Sequence, residues 1–497
     1  MGALHLVRDL LRVGLLAGGV LLSTTTCYQP PTDARASGSW SYVVDAPEPG
    51  SRVVTVEATF EGARTERLAI GPASAPFVDG VAVKTGGGYR TVERRDGDWF
   101  ERSCNARCTV RYRVDLGALA KGCGDEVDCA RRVGDATLSP ALAWLVHPMP
   151  RRDVPVTVRM RGAGAVSGMS AADETGTSFA FRSFDLDEGS FTAFGPVRRY
   201  RIASPGGDRM ARIDVAIVGE QPYAMTDEAM LAWIGEAAAV TVPLFGRFPV
   251  ERTTIFVVPA RGEDGVTFGK VLSLAGASVV LVVGDRMPAA SVHKDWVLVH
   301  ELFHLGFPTF RGEGRWLGEG LATYYEPVLR ARAGWTTDAE VFRQFARNMP
   351  RGQPATLGRR VGLGARDDLD SIYWGGALFC LAADVRIREE TRGNKSLDDV
   401  VRAALAHGGD ATKVWTVRDV VRLADATTGT KVVSDMVARY AAQGERIDLE
   451  GLLASVGVRA LGDGAQDDAK PLAWVRHAIV DGSRSGDTLL AQRMPQY

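Results

Sequence analysis

The sequence lacks an excess of charge of either sign. Its 59 lysines and arginines face 60 aspartates and glutamates, for a formal net charge of −1. The basic residues, mostly arginine, are scattered through every segment instead of forming a stripe. This excludes the bulk electrostatic footprint of a nucleic-acid-binding protein, so no nucleic-acid partner is expected. Long apolar runs are also missing, and past the first 27 residues no run reads as a transmembrane helix. There is no internal repeat and no low-complexity segment. With 45% hydrophobic and 24% charged residues the composition is ordinary for a globular protein, and 497 residues leave room for two or three domains with sizeable cores.

Cysteine and histidine are scarce, at six and seven residues, so where they cluster is informative. Cys104, Cys108, Cys123 and Cys129 crowd into one region, and Cys380 stands alone in an apolar stretch. Spacings of three and five intervening residues suit a zinc ribbon poorly. Local disulfides formed in an oxidising compartment are expected instead, with their pairing open. Cys380 reads as a buried helix residue. The sixth cysteine, Cys27, follows a short leader in which Arg8 and Arg12 precede an apolar stretch at 13–22. Residues 1–27 are read as a secretory signal or lipoprotein leader. The protein is therefore expected to be exported to the periplasm or cell envelope, either free or anchored in the membrane by lipidated Cys27. Oligomeric state is not legible.

Residues 39–200 carry strand signals. The stretches 53–60 (VVTVEATF), 108–114 (CTVRYRV) and 154–160 (VPVTVRM) alternate or are β-branched, with Gly, Pro and Asp clusters between them. A β-sandwich-like N-terminal domain is expected. From residue 201 the pattern changes: strands at 211–218, 254–258 and 277–283 surround a helix at 226–244 that Thr226 can cap. After residue 314 the chain reads as helix at 315–330, 337–347, 368–391, 396–407, 416–425 and 430–442. The fold class is thus α+β. A catalytic domain is placed at 201–460, with an α/β part at 201–330 and a helical lobe at 331–460, and residues 461–497 are read as a tail.

The chemistry concentrates at 300–319. His300 and His304 are four residues apart, so on a helix they stand one turn apart on one face and can offer two imidazoles to one metal ion. Glu301 is turned by about 100° from His300 and can border the same cleft as a general base without ligating. Both histidines lie amid Val297, Leu298, Val299, Leu302, Phe303 and Leu305, where unpaired imidazoles are costly to bury. No third histidine follows nearby, so the third ligand is sought among carboxylates. Glu313 lies in a glycine-bounded loop. Glu326 is about 10 Å further along the next helix than Glu319. Glu319, between Gly318 and Gly320, is the residue this comparison selects.

The stretch 316–325 (WLGEGLATYY) resembles the Trp-x-x-Glu-Gly-x-x-x-Tyr block of gluzincin metallopeptidases, and is most similar to the glycyl aminopeptidase family, whose members often carry a PDZ domain. Residues 373–378 (YWGGAL) resemble that family's Tyr-x-Lys-Gly-Ala-Leu block, and 384–388 and 395–400 resemble its following helices. The similarity spans about residues 290–460 and, more loosely, the β-rich region. It implies a thermolysin-like catalytic domain and a zinc metallopeptidase. His300, His304 and Glu319 would hold one Zn2+, Glu301 would act as base, Tyr373 would donate a hydrogen bond to the oxyanion, and the substrate would be a peptide or protein. Three departures stand out: a shorter stretch between His304 and Glu319, Gly375 in place of the lysine, and no carboxylate in the Gly-rich stretch 269–277, where relatives bind a substrate amine. The chain left after Leu453 is also too short for a PDZ domain. Hydrolysis of peptide bonds is therefore expected, with aminopeptidase and endopeptidase action both open. The alternative is an envelope binding or scaffold protein that keeps a gluzincin fold without turnover.

Overall fold

A computed structural model describes residues 37–47, 50–62, 66–101, 106–203, 211–353, 362–459 and 466–482. The leader with Cys27, Cys104, residue 460, and residues 461–465 and 483–497 of the expected tail lie outside them. The described residues form an α+β fold of two compact units. One comprises the residues up to Tyr200 with Asp214–Met225 and Thr253–Pro288, and the other Arg201–Ile213, Thr226–Arg252 and Ala289 onward.

In the first unit a seven-stranded sheet runs in the order Ser178–Arg182, Pro155–Arg161, Ser39–Asp45, Val53–Glu61, Arg107–Asp115, Val78–Thr85, Gly88–Thr91. The alternation read from the sequence sets its buried face. Val54, Val56, Ala58 and Phe60 point inward, as do Cys108, Val110, Tyr112 and Val114, and the two strands pair antiparallel with Val56 opposite Tyr112. The phenol of Tyr42 donates to the Val146 carbonyl at 2.9 Å, which satisfies a polar atom inside the apolar core. Cys123 and Cys129 form a disulfide, and Cys108 is disulfide-bonded as well.

His147, at the start of the strand His147–Met149, is buried in this core and stacked on Trp40, with ring centroids 6.2 Å apart. Burial, reinforced by the Arg151 guanidinium beside it, pushes its pKa down to about 4. The folded state therefore favours the neutral ring. The corresponding stability is complete above the ordinary histidine range near pH 6.5 and is lost as pH falls toward 4. Urea unfolding followed from pH 7 to 4.5 is expected to show a loss of about 2–3 kcal/mol from this group. His147→Phe should flatten that slope, and an unchanged slope would refute the assignment.

The strands at 214–218, 253–260 and 278–284, read from the sequence as part of the catalytic domain, group with the first unit. The reason is a shared core: Phe256, Val258, Val280 and Val282 pack with Val133, Leu138 and Phe191. Ser278 Oγ also accepts from Ser190 Oγ at 2.9 Å. One strand, Val266–Leu272, has no counterpart in the sequence reading. Gly269 and Lys270 interrupt its apolar pattern, and its antiparallel pairing with Ser278–Gly284 supplies what periodicity does not.

The second unit is helical. The helix Asp227–Phe245 is capped as expected, with Thr226 Oγ1 accepting from the Ala229 amide at 3.2 Å. At 19 residues it is long and apolar enough to cross a bilayer, unlike the sequence reading, but Met230, Trp233, Ile234, Ala237 and Ala238 are buried, as in a core helix. The helices Arg315–Arg332, Asp338–Asn348, Gly376–Glu390, Leu397–Ala406 and Val417–Thr428 follow close to their sequence positions. Inside them lies a buried polar network. Tyr324 donates to Asp384 at 2.8 Å and Tyr325 to Asp398 at 2.9 Å, while Arg388 pairs with Asp384 and Arg332 with Asp398. Burial pushes the Asp398 carboxyl up, but the Arg332 and Arg388 charges outweigh it and hold it below the usual range. Within the expected tail, Ala473–Asp481 is a further helix, tied down by Arg332 Nη2 donating to the Ile479 carbonyl at 2.7 Å.

Candidate metal centre

Two helices bring the centre together. Val297–His304 carries His300, Glu301 and His304, and Arg315–Arg332 carries Glu319. The first helix is started by Asp295, whose carboxylate accepts from the Val297 amide at 3.2 Å and the Leu298 amide at 3.0 Å. An aspartate just before an apolar helical run is a helix-start signal that the sequence reading passed over. Burial pushes this carboxyl up to about 6, with the amides and Arg330 acting against it. Phe245 seats the helix through Phe303, with rings 5.7 Å apart, and covers Gly306, where a Cβ would come within 2.2 Å of the Phe245 ring.

The connection from Leu305 to Gly314 is short and pinned. Thr309 Oγ1 donates to the Ala411 carbonyl at 2.8 Å, the Thr309 amide to Lys413 at 2.8 Å, and the Trp415 amide to the Thr309 carbonyl at 3.1 Å. The Phe310 ring lies over Gly314 and Gly318, each too close to carry a side chain without displacing it. The trimmed spacing noticed in the sequence thus delivers Glu319 from a firmly held turn.

His300 Nε2 and His304 Nε2 are 3.2 Å apart, and Glu319 Oε2 is 3.3 Å from each. Donors about 2.0–2.1 Å from one tetrahedral ion stand roughly 3.3–3.4 Å from each other. The triangle and its two-nitrogen, one-oxygen donor set therefore fit Zn2+, with a fourth position left for water or substrate. Electrostatics agree with an anionic acceptor between two imidazoles. Burial pushes Glu319 up, but His304 and His300 override it and hold the carboxyl well below its usual range. For His304, burial acts downward and Glu319 and Glu301 outweigh it.

The other carboxylates considered from sequence do not join the triangle. Glu313 is exposed in the turn Gly312–Gly314. Glu326 is buried, but it pairs with Arg330 at 2.8 Å, and Arg330 also donates to the His293 and Lys294 carbonyls. Glu301 is buried on the helix Val297–His304, outside the donor triangle, and its charge acts on both His304 and Tyr373.

Tyr373 reaches the centre from a third direction. Its ring stacks on His300 with centroids 5.9 Å apart and planes 23° from parallel. Burial pushes its phenol well up, and the Glu319 and Glu301 charges add to this. The Arg315 charge acts the other way. Arg315 opens the helix Arg315–Arg332 one turn before Glu319, and no sequence motif singled it out. The sequence predicts one helix over 368–391. The structure instead has a π-helical turn, Ser371–Gly375, running into Gly376–Glu390. Tyr373 sits in that widened turn, a local feature often found at functional sites.

An α+β chain with a helical unit carrying a His-Glu-x-x-His helix and a glutamate one helix later has the architecture of the gluzincins. Solved structures of the same fold include an aminopeptidase N family protein from Idiomarina loihiensis, with a TM-score of 0.62 at 15% identity over 84% of this chain and 78% of that one. The M1 zinc metallopeptidase of Deinococcus radiodurans aligns with a TM-score of 0.51 at 15% identity over 82% of this chain and 95% of its own. A variant of the Deinococcus enzyme bound to a Tyr-Ser-Ala substrate aligns with a TM-score of 0.52 at 14% identity, over 83% and 95%. No protein-family model and no curated protein sequence matches the chain. The fold is thus that of the M1 zinc metallopeptidases.

Proposed function

We propose that this protein is a zinc metallopeptidase that hydrolyses peptide bonds and acts outside the cytoplasm. The observation that carries the reading is the donor triangle of His300, His304 and Glu319, with sides of 3.2–3.3 Å. Those residues would hold one Zn2+, which when bound supplies a Lewis acid that polarises the scissile carbonyl and acidifies water. Glu301, one residue after the first ligand, takes the proton from the attacking water and returns it to the leaving amine. Tyr373, stacked on His300, donates its phenolic hydrogen to the oxyanion, and its raised pKa keeps that hydrogen in place.

The Deinococcus enzyme binding Tyr-Ser-Ala supports a peptide substrate for this chain too. Export is supported by the leader composition and by the disulfide Cys123–Cys129, which needs an oxidising compartment. The test is a peptide-library digest by the purified full-length protein, with zinc and after its removal by a chelator. Cleavage that depends on zinc is expected, and the positions of the new termini report whether the enzyme works from the amino end or within the chain. A protein that holds zinc and cleaves nothing would overturn the enzyme reading in favour of a binding protein.

A further inference from the structure

The turn bearing Tyr373 is clamped by glycines on two sides. On one side, Gly376 meets the Glu319 helix: a Cβ at Gly376 would come within 2.2 Å of the Trp316 carbonyl oxygen, and one at Gly320 within 2.5 Å of Gly376 Cα. On the other side, the 3-10 turn Met349–Gly352 lies against the π-helical turn. A Cβ at Gly352 would fall 2.0 Å from the Gly375 amide nitrogen and 2.4 Å from the Trp374 carbonyl carbon. A Cβ at Gly375 would meet the Gly352 oxygen and Leu363 Cδ2, both at 2.8 Å. Apart from Leu363 these contacts are backbone against backbone, so at Gly352 no flexible side chain can give way.

Polar ties hold the same strap in register. Arg351 pairs with Asp370 at 2.6 Å. Arg366 Nη1 donates to the Gly352 carbonyl at 3.4 Å, and Arg366 Nε donates to Asp368 at 3.2 Å. Asp368 in turn accepts from the Ser371 amide at 2.9 Å and from the Ser371 hydroxyl. The strap therefore contacts Asp370 on one side of Tyr373 and Trp374 and Gly375 on the other, and Gly376 ties the same turn to the helix of Glu319.

We propose that the strap Met349–Gly352 sets the distance of Tyr373 from the metal centre, and that Gly352 and Gly375 are positioning residues for the reaction, acting only through Tyr373. This rests on the peptidase reading above. A methyl group at Gly352 forces the strap and the π-helical turn apart by more than about 1 Å, a misplacement that lowers turnover by about 10- to 100-fold.

The test combines kinetics with a structure of the variant. Gly352→Ala is expected to lower kcat by about 10-fold or more with KM and zinc content unchanged, and Gly375→Ala to do the same to a smaller degree, since its contacts are longer. In a Tyr373→Phe background, Gly352→Ala should add no further loss, which a general structural role would not reproduce. Additive losses, or a raised KM with kcat intact, would overturn the proposal. If the wild-type protein cleaves no peptide, the peptidase reading fails and the crystal structure of Gly352→Ala decides the clamp by itself. A Tyr373 ring moved off His300 upholds the clamp, and one still stacked 5.9 Å from it refutes the clamp. Should Gly352→Ala fold poorly, Gly375→Ala carries the same measurements.

Discussion

Glu301→Gln should reduce peptide hydrolysis by about 1,000-fold or more while zinc content stays at the wild-type level. The carboxamide has nearly the shape of the carboxylate, so it fills the same buried space on the Val297–His304 helix. It cannot take a proton from water. Glu301 lies outside the 3.2–3.3 Å donor triangle, so ion binding has no reason to change. Loss of its charge acts on neighbours in a known direction: Tyr373 and His304 each lose one of the anions that raise their pKa. Neither change replaces a missing base. Turnover measured beside zinc analysis on the same preparation checks the prediction. A variant that keeps activity within a few-fold of wild type would remove Glu301 from the mechanism. A variant that loses zinc would show that it serves the metal instead.

Much of this centre was legible in the sequence because its parts obey local rules. His300 and His304 are one helical turn apart, and that spacing alone places two imidazoles on one face. Glu319 emerged once Glu313 was set aside for its glycine-bounded loop and Glu326 for its distance two turns further along the helix, which needs only the rise per residue. The alternating residues of 53–60 and 108–114 faced one core for the same reason. What was not legible depends on tertiary contacts. The π-helical turn at Ser371–Gly375 reads as ordinary helix, because one extra residue in a turn leaves no compositional mark. Gly375 seemed only a departure from a resembling block, and its use is visible once Gly352 is found against it from 23 residues away. The strand Val266–Leu272 and the helix Ala473–Asp481 likewise depend on partners distant in sequence.

Glu319→Ala should abolish zinc binding and hydrolysis together, whereas Glu326→Ala should leave zinc in place and lower stability. The two glutamates sit on the same helix and are both largely buried, yet their partners differ. In the proposed site Glu319 supplies the oxygen corner of the triangle and would supply the negative charge that offsets the ion. Without it, two neutral imidazoles remain, and affinity should fall by more than the roughly 10- to 100-fold that a supporting contact costs. The 3.3 Å contacts of Glu319 with His300 and His304 are lost with it, so the metal-free fold should persist at somewhat lower stability. Glu326 instead neutralises Arg330, which itself ties down the His293 and Lys294 carbonyls ahead of the helix Val297–His304. Truncating it leaves a largely buried guanidinium without its carboxylate, at a cost of about 3 kcal/mol. Zinc analysis and thermal unfolding of both variants, with Glu313→Ala as an exposed control, separate the two roles. Zinc retained in Glu319→Ala and lost in Glu326→Ala would move the third ligand two turns along the helix, to a site where Arg330 would compete with the ion for the same carboxylate.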